Sequence, residues 1–204
     1  MMATKLTFFI LLSVTSGCAS LKISHDLNEK LPGTGADYII SSPVEVTLLK
    51  KERDLLHTKT MALPADKTKE EKEAILEYGI FSDLSFTSRE PKLKNTIRVE
   101  IEILNTWFVE NCYMGGCFFW PNLQTNSYQI DFRVFDKRNV KVFETNESIS
   151  GELWGNVFKL YYGYKPLREL DDKAPNLLVK RSLAKFQTSD AFKRLIEDEK
   201  HQSE

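Results

Sequence analysis

Between Ile97 and Phe108 apolar and polar side chains change places at almost every step. Ile97, Val99, Ile101 and Ile103 fall on one side, and Arg98, Glu100 and Glu102 on the other. That two-residue period predicts a strand with one buried and one wet face. Residues 128–135 repeat it, with Tyr128, Ile130, Phe132 and Val134 set against Gln129, Asp131 and Arg133. Asp136-Lys137-Arg138-Asn139 then predicts a turn into Val140–Phe143. Beyond Asn146 the apolar positions Ile149 and Leu153 have changed parity, which predicts a bulge or break there. Upstream, Val44, Val46 and Leu48 alternate with Glu45 and Thr47 and predict a half-buried strand after Pro43.

Helical spacing occurs twice. Thr68-Lys69-Glu70-Glu71 has the form of a capping box, in which Thr68 and Glu71 each satisfy an amide at a helix start. The helix it predicts runs through Ala74, Ile75 and Tyr78 and stops at Gly79. Phe81, Leu84 and Phe86 follow as a short extended stretch. Near the C-terminus Pro175 suits a first helical turn. Val179, Leu183 and Phe186 recur at helical spacing beyond it, and Phe192, Leu195 and Ile196 continue the apolar side after Thr188-Ser189. The strands need a cover for their apolar face, and these helices supply it. The expected fold is α+β, a mostly antiparallel sheet with helices on one face.

The N-terminus has a different pattern. Lys5 is followed by an apolar run over Leu6–Val14 and by the small residues Thr15-Ser16-Gly17, with Cys18 next. A basic start, a short apolar run and small residues are the parts of an export signal, and the run is shorter than the roughly 20 residues a membrane-spanning helix needs. Ser16, Gly17 and Cys18 resemble the lipobox of bacterial lipoproteins, although Thr15 stands where that pattern has an aliphatic residue. The resemblance implies cleavage before Cys18 and lipidation of its sulfur. Ala19 in place of aspartate implies the outer membrane. The expected organisation is a signal over 1–17, a lipid-anchored flexible tether over 18–37, one domain over 38–198 and a polar tail over 199–204. The order strand, helix, strands, helix is also similar to small periplasmic lipoprotein domains of envelope-assembly and secretion systems.

Removing residues 1–17 leaves 187 of the 204 residues, enough for one domain. Lys5 is the only charge lost, so the net charge moves from −1 to −2. So even a balance argues against nucleic acid as a partner and against a polybasic membrane surface. The expected partners are the membrane, through Cys18, and an envelope protein.

Residues 107–121 are the most unusual part of the folded region, joining the two clearest strands as a hairpin tip. Gly115 and Gly116 suit a tight loop, and Cys112 and Cys117 lie on its two arms. In an exported chain that pair is expected to form a disulfide. Tyr113, Met114, Phe118, Phe119 and Trp120 then form a candidate contact surface for a partner or a bilayer, or they fold back and cap the sheet. A second aromatic cluster, from Trp154 to Tyr164, fits either a ligand groove or packing against the sheet.

Catalytic signatures are missing from the sequence, with neither a nucleophile elbow nor a phosphate-cradling loop. The carboxylate pairs Glu100/Glu102 and Asp171/Asp172 read as solvated surface. His25, His57 and His201 are scattered, so neither metal nor cofactor is expected. The expected role is a non-catalytic accessory or binding subunit of an envelope assembly. A lipid-tethered envelope hydrolase and a surface-exposed structural lipoprotein are the alternatives.

Overall fold

A computed structural model describes residues 20–24, 26–28, 31, 38–54, 59–87, 95–110, 122–155 and 164–203. Among the described residues seven strands and three α-helices follow one another along the chain: β1 (Ser20–Ile23), β2 (Val44–Asp54), β3 (Lys59–Ala62), α1 (Lys69–Tyr78), β4 (Leu84–Thr87), β5 (Ile97–Glu110), β6 (Asn122–Phe135), β7 (Lys141–Gly155), α2 (Tyr164–Gln187) and α3 (Asp190–Ser203). They form one sheet in the order β1-β7-β6-β5-β2-β3, with β4 also paired to β2. The fold is α+β, as the alternation of the strands predicts.

Four of the six strand pairings are antiparallel. The two parallel ones, β2 with β5 and β2 with β4, arise because the chain crosses over through α1 between them. Along its outer side β2 is shared. Val44–Thr47 pair with β4, and Lys51–Asp54 pair with β3.

The register explains the core. Val46, Val99 and Val134 stand side by side, as do Leu48, Ile101 and Phe132, and all six are buried. α2 lies across β6 and β7 on this face, with α1 packed beside it. Leu170, Ala174, Leu178, Leu183 and Phe186 of α2 are fully buried. Phe186 is the centre of the packing. Its ring lies 5.3 Å from Phe143, 5.4 Å from Phe192, 6.2 Å from Phe132 and 6.3 Å from Phe81, so one side chain joins the sheet, α3 and the segment after α1.

Several elements differ in detail from the sequence pattern. Ser20–Ile23, inside the stretch expected as tether, forms edge strand β1 against Gly151–Trp154, and Ile23, Leu27 and Leu31 pack on the core. Thr68 makes no side-chain cap to α1. Glu71, the other half of the supposed capping box, turns inward and bonds the Lys50 ammonium at 2.7 Å. The buried face of α1 has captured it, because Lys50 needs a counter-charge where β2 passes beneath. Gly79 ends the helix in the left-handed region as expected, with φ +73°.

The parity change in β7 comes earlier than the apolar pattern suggests. Val134 pairs with Phe143 but Phe135 pairs with Lys141, so Val142 is the extra residue. From Phe143 onward β7 is regular, and Thr145 and Glu147 occupy inner positions opposite Phe132 and Ile130. Glu147 is held there by the Lys185 ammonium of α2. Pro175, expected in a first turn, lies well inside α2. Its ring removes one backbone bond, and burial of Leu170 and Ala174 on one side and Leu177 and Leu178 on the other offsets that loss.

Replacing Phe186 with alanine is expected to cost about 3–5 kcal/mol, the usual range for a buried phenylalanine, read as a lowered urea midpoint with unchanged slope.

Candidate functional site

Cys18, the Cys112–Cys117 pair and the contact residues Tyr113, Met114, Phe118, Phe119 and Trp120 lie outside the described residues. The strands on either side of the tip are described. β5 and β6 pair antiparallel up to Glu110 and Leu123, so residues 111–121 connect two adjacent strand ends, as a hairpin requires. Of the second aromatic cluster, Trp154 belongs to the end of β7 and Tyr164 opens α2, while 156–163 lie outside the described residues.

The outer face of the sheet carries a lattice of charge. Glu100 stands between Thr47 and Arg133, and Glu144 follows in the same row. Arg133 lies 2.9 Å from Glu144, 3.7 Å from Asp131 and 4.0 Å from Glu100. Lys51 bonds Glu102 at 2.6 Å, and the Arg98 guanidinium sits 4.0 Å over the Phe135 ring. Bonds from Lys141 and Arg133 hold the Glu144 carboxyl below the usual range. Glu100 and Glu102 are therefore members of cross-strand ion pairs on a half-exposed surface, where screening keeps each pair weak.

A buried polar cluster lies on the inner face, between β6 and α2. The Tyr128 hydroxyl donates to Asp171 at 2.8 Å and the Asn126 amide donates to the same oxygen at 3.0 Å. Tyr128 and Asn126 are both buried. Burial first, then the charge of Asp171 and the bond to it, push the Tyr128 phenol far above its ordinary range. The side-chain oxygens of Asn126 and Asn105 are buried without a donor. Next to this cluster, α2 approaches β7 so closely that a Cβ on Gly151 would lie 2.7 Å from Leu170. A protonated phenol, a neutral amide and a carboxylate already accepting two bonds contain no activated nucleophile. Chemically, the cluster is a latch that fixes α2 on the sheet. Asp171 belongs to a carboxylate pair visible in the sequence, but Asn126 and Tyr128 are ordinary strand residues until register places them opposite the helix.

A second polar anchor lies at the other end of the sheet. Both carboxylate oxygens of Glu199 accept backbone amides, Ser41 at 3.0 Å and Ser42 at 2.6 Å. Burial would raise its carboxyl, but bonds from Ser42 and Ser41 and the charge of Lys137 outweigh that and lower it. Tyr38, Ile39, Ile196 and Lys200 line an open cleft of about 440 Å³ beside it, and the Lys200 ammonium lies 4.7 Å from the Tyr38 ring centre. A smaller hollow of about 250 Å³ adjoins, between Asp136, Lys137, Arg138 and Asp198. Glu199 falls in the stretch expected as polar tail. Phe192, Leu195, Ile196 and Glu199 share one side of α3, and that phase carries the helix on to Ser203. Among the described residues no group of three or more histidine, cysteine, aspartate or glutamate side chains could hold a metal.

No family profile matches the chain, and no curated protein matches it. Solved structures are similar in arrangement only. A minor lipoprotein from Acinetobacter baumannii is 11% identical, with 70% of this chain and 94% of that one covered and a TM-score of 0.39. A Xanthomonas campestris protein described under DUF330 is 8% identical over 86% and 95% of the two chains, with a TM-score of 0.35. A PelC dodecamer from Paraburkholderia phytofirmans is 12% identical over 84% and 100%, with a TM-score of 0.33. Likeness at this level carries no role to the present chain.

Tyr128→Phe is expected to lower stability by about 1–2 kcal/mol at neutral pH, because Asp171 loses a donor. A phenol whose folded pKa is raised contributes stability that is complete below the unfolded value of 10.0 and fades as pH rises beyond it. The gap between wild type and variant is therefore expected to narrow above pH 10, read by urea titration across pH. For Glu199, a lowered folded pKa gives stability above about 4.5 that is lost as pH falls. Glu199→Gln is expected to flatten the acid limb of the unfolding-midpoint profile.

Proposed function

We infer that the chain is an envelope lipoprotein, cut before Cys18, held by lipid on the Cys18 sulfur, and serving a non-catalytic binding or accessory role at the outer membrane. The observation that carries this reading is the sequence Ser16-Gly17-Cys18 directly behind a short apolar run with a basic start. Among the described residues no helix is long and apolar enough to cross a membrane, so stable attachment of the folded part calls for an anchor of another kind. Acyl chains supply it, at roughly 0.8 kcal/mol per buried methylene, with two or more chains needed for firm binding. The non-catalytic part of the reading draws support from the two clusters' carboxylates, since Asp171 accepts from Tyr128 and Asn126 and Glu199 accepts from the Ser41 and Ser42 amides. The partner-facing residues of this reading are those of the 111–121 connection, stiffened by a Cys112–Cys117 disulfide.

Growth with an alkyne fatty acid followed by dye coupling is expected to label the wild-type chain and not Cys18→Ser. The variant is expected to run larger by its uncut leader. Equal labelling of both chains sinks the anchor.

A further inference from the structure

At the end of the sheet away from the Tyr128 cluster, the chain holds one of its own carboxylates on main-chain donors. The Ser41 and Ser42 amides, just before β2, each donate to a different oxygen of Glu199, at 3.0 and 2.6 Å. Two successive amides aimed at one anion are a ready site for negative charge. Backbone donors do not distinguish the chain's own carboxylate from another that reaches them. The present occupant sits on a part of α3 that the core does not hold. None of residues 197–201 is buried, and their contacts include the Glu199 bonds and the Lys200 ammonium over Tyr38. Turns of this kind lift locally without opening the core.

The surroundings suit a ligand longer than one side chain. Glu199 lines both the cleft of about 440 Å³ and the hollow of about 250 Å³, so it is the partition between them. Its withdrawal joins the two into one trough with the Ser41 and Ser42 amides inside. The lining of that trough then carries three cations, Lys137, Arg138 and Lys200, against two carboxylates, Asp136 and Asp198. Asp136 already accepts the Arg138 and Val140 amides. The balance favours a ligand of negative charge. The rim is apolar as well. Of the six large apolar side chains that stand exposed among the described residues, Tyr38, Ile39 and Val140 are at this end, and clustered exposed apolar groups mark contact surfaces.

We propose that the Ser41 and Ser42 amides, with the trough around them, bind an acidic peptide segment of a partner protein, and that Glu199 is a stopper which this segment displaces. The chemistry of the ligand is read from the tenant, a carboxylate one helical turn beyond the aliphatic Ile196. An incoming segment needs the same pair, a carboxylate for the two amides and an apolar side chain for the space beside Tyr38 and Ile39. A lone carboxylate competes poorly with a tethered one. A segment that also fills both hollows gains contacts that Glu199 does not make, and that difference shifts the balance. The site goes beyond the lipoprotein reading and needs neither the anchor at Cys18 nor the 111–121 connection.

The experiment uses the full chain in detergent micelles, isotope-labelled at the serine amides for NMR, and the capped tetrapeptide Ile-Glu-Asp-Glu, which copies residues 196–199. Glu199→Ala removes the stopper, and its Ser41 and Ser42 signals are expected to shift and saturate as peptide is added. Wild type is expected to bind at least about tenfold more weakly, because its open form is a minor state of about 10% or less. Glu199→Gln, the milder change, is expected to bind more tightly than wild type as well. The neutral peptide Ile-Gln-Asn-Gln is expected to move neither signal. Signals that stay fixed in both variants overturn the proposal, and equal affinity of wild type and both variants overturns the stopper. Inorganic phosphate that shifts Ser41 and Ser42 as tightly as the acidic peptide overturns the assignment to a carboxylate segment.

Discussion

Phe186 touches four other phenylalanines from different parts of the chain, and the architecture depends on that meeting. Phe132 and Phe143 come from the antiparallel ribbon, Phe81 from the segment after the first helix, and Phe192 from the last. Helix and sheet each have one apolar side, and neither is stable in water with that side open. Their shared burial lets α2 tolerate a proline in its interior. It also lets Thr145 and Glu147 sit at inner strand positions that a pattern would reserve for apolar residues.

The two polar clusters divide the work of fixing that packing. Asp171 holds the first half of α2 against β6, and Glu199 ties the end of α3 to the start of β2. Apolar contact is indifferent to small sliding, whereas a carboxylate with two donors is not. The carboxylates therefore set where along the sheet the helices stop. Both clusters tie a helix to the sheet through a carboxylate that accepts two bonds.

Strands were legible wherever alternation was unbroken, as from Ile97 to Ile103 and Tyr128 to Val134, because the inner face tolerates almost no polar side chain there. Legibility failed where tertiary partners altered the local rule. Glu71 reads as a cap because Thr68 stands three residues before it, yet the Lys50 ammonium is the stronger claimant. Pro175 reads as a helix start because residues 164–174 lack an obvious stripe, though Leu170 and Ala174 mark the buried side. Ser20–Ile23 is too short for any period to show, and only its partner β7 makes it a strand. Of the polar clusters, Asp171 belonged to a carboxylate pair visible in sequence, whereas Glu199 fell in the expected tail, and the donors Asn126, Tyr128, Ser41 and Ser42 gave no signal because register and the return of the chain bring them there.

Strand β1 covers only Gly151–Trp154 of β7, with Ser24 adding bonds at Ser150. From Lys141 to Ser148 the outer margin of β7 has no strand beside it among the described residues. Such a margin is a template on which any extended peptide can continue the ladder. Here it is studded with Lys141, Glu144 and Asn146, all exposed, and the bulge at Val142 spoils its regularity at the start. The charged side chains and the bulge guard this edge against unwanted fibrous growth.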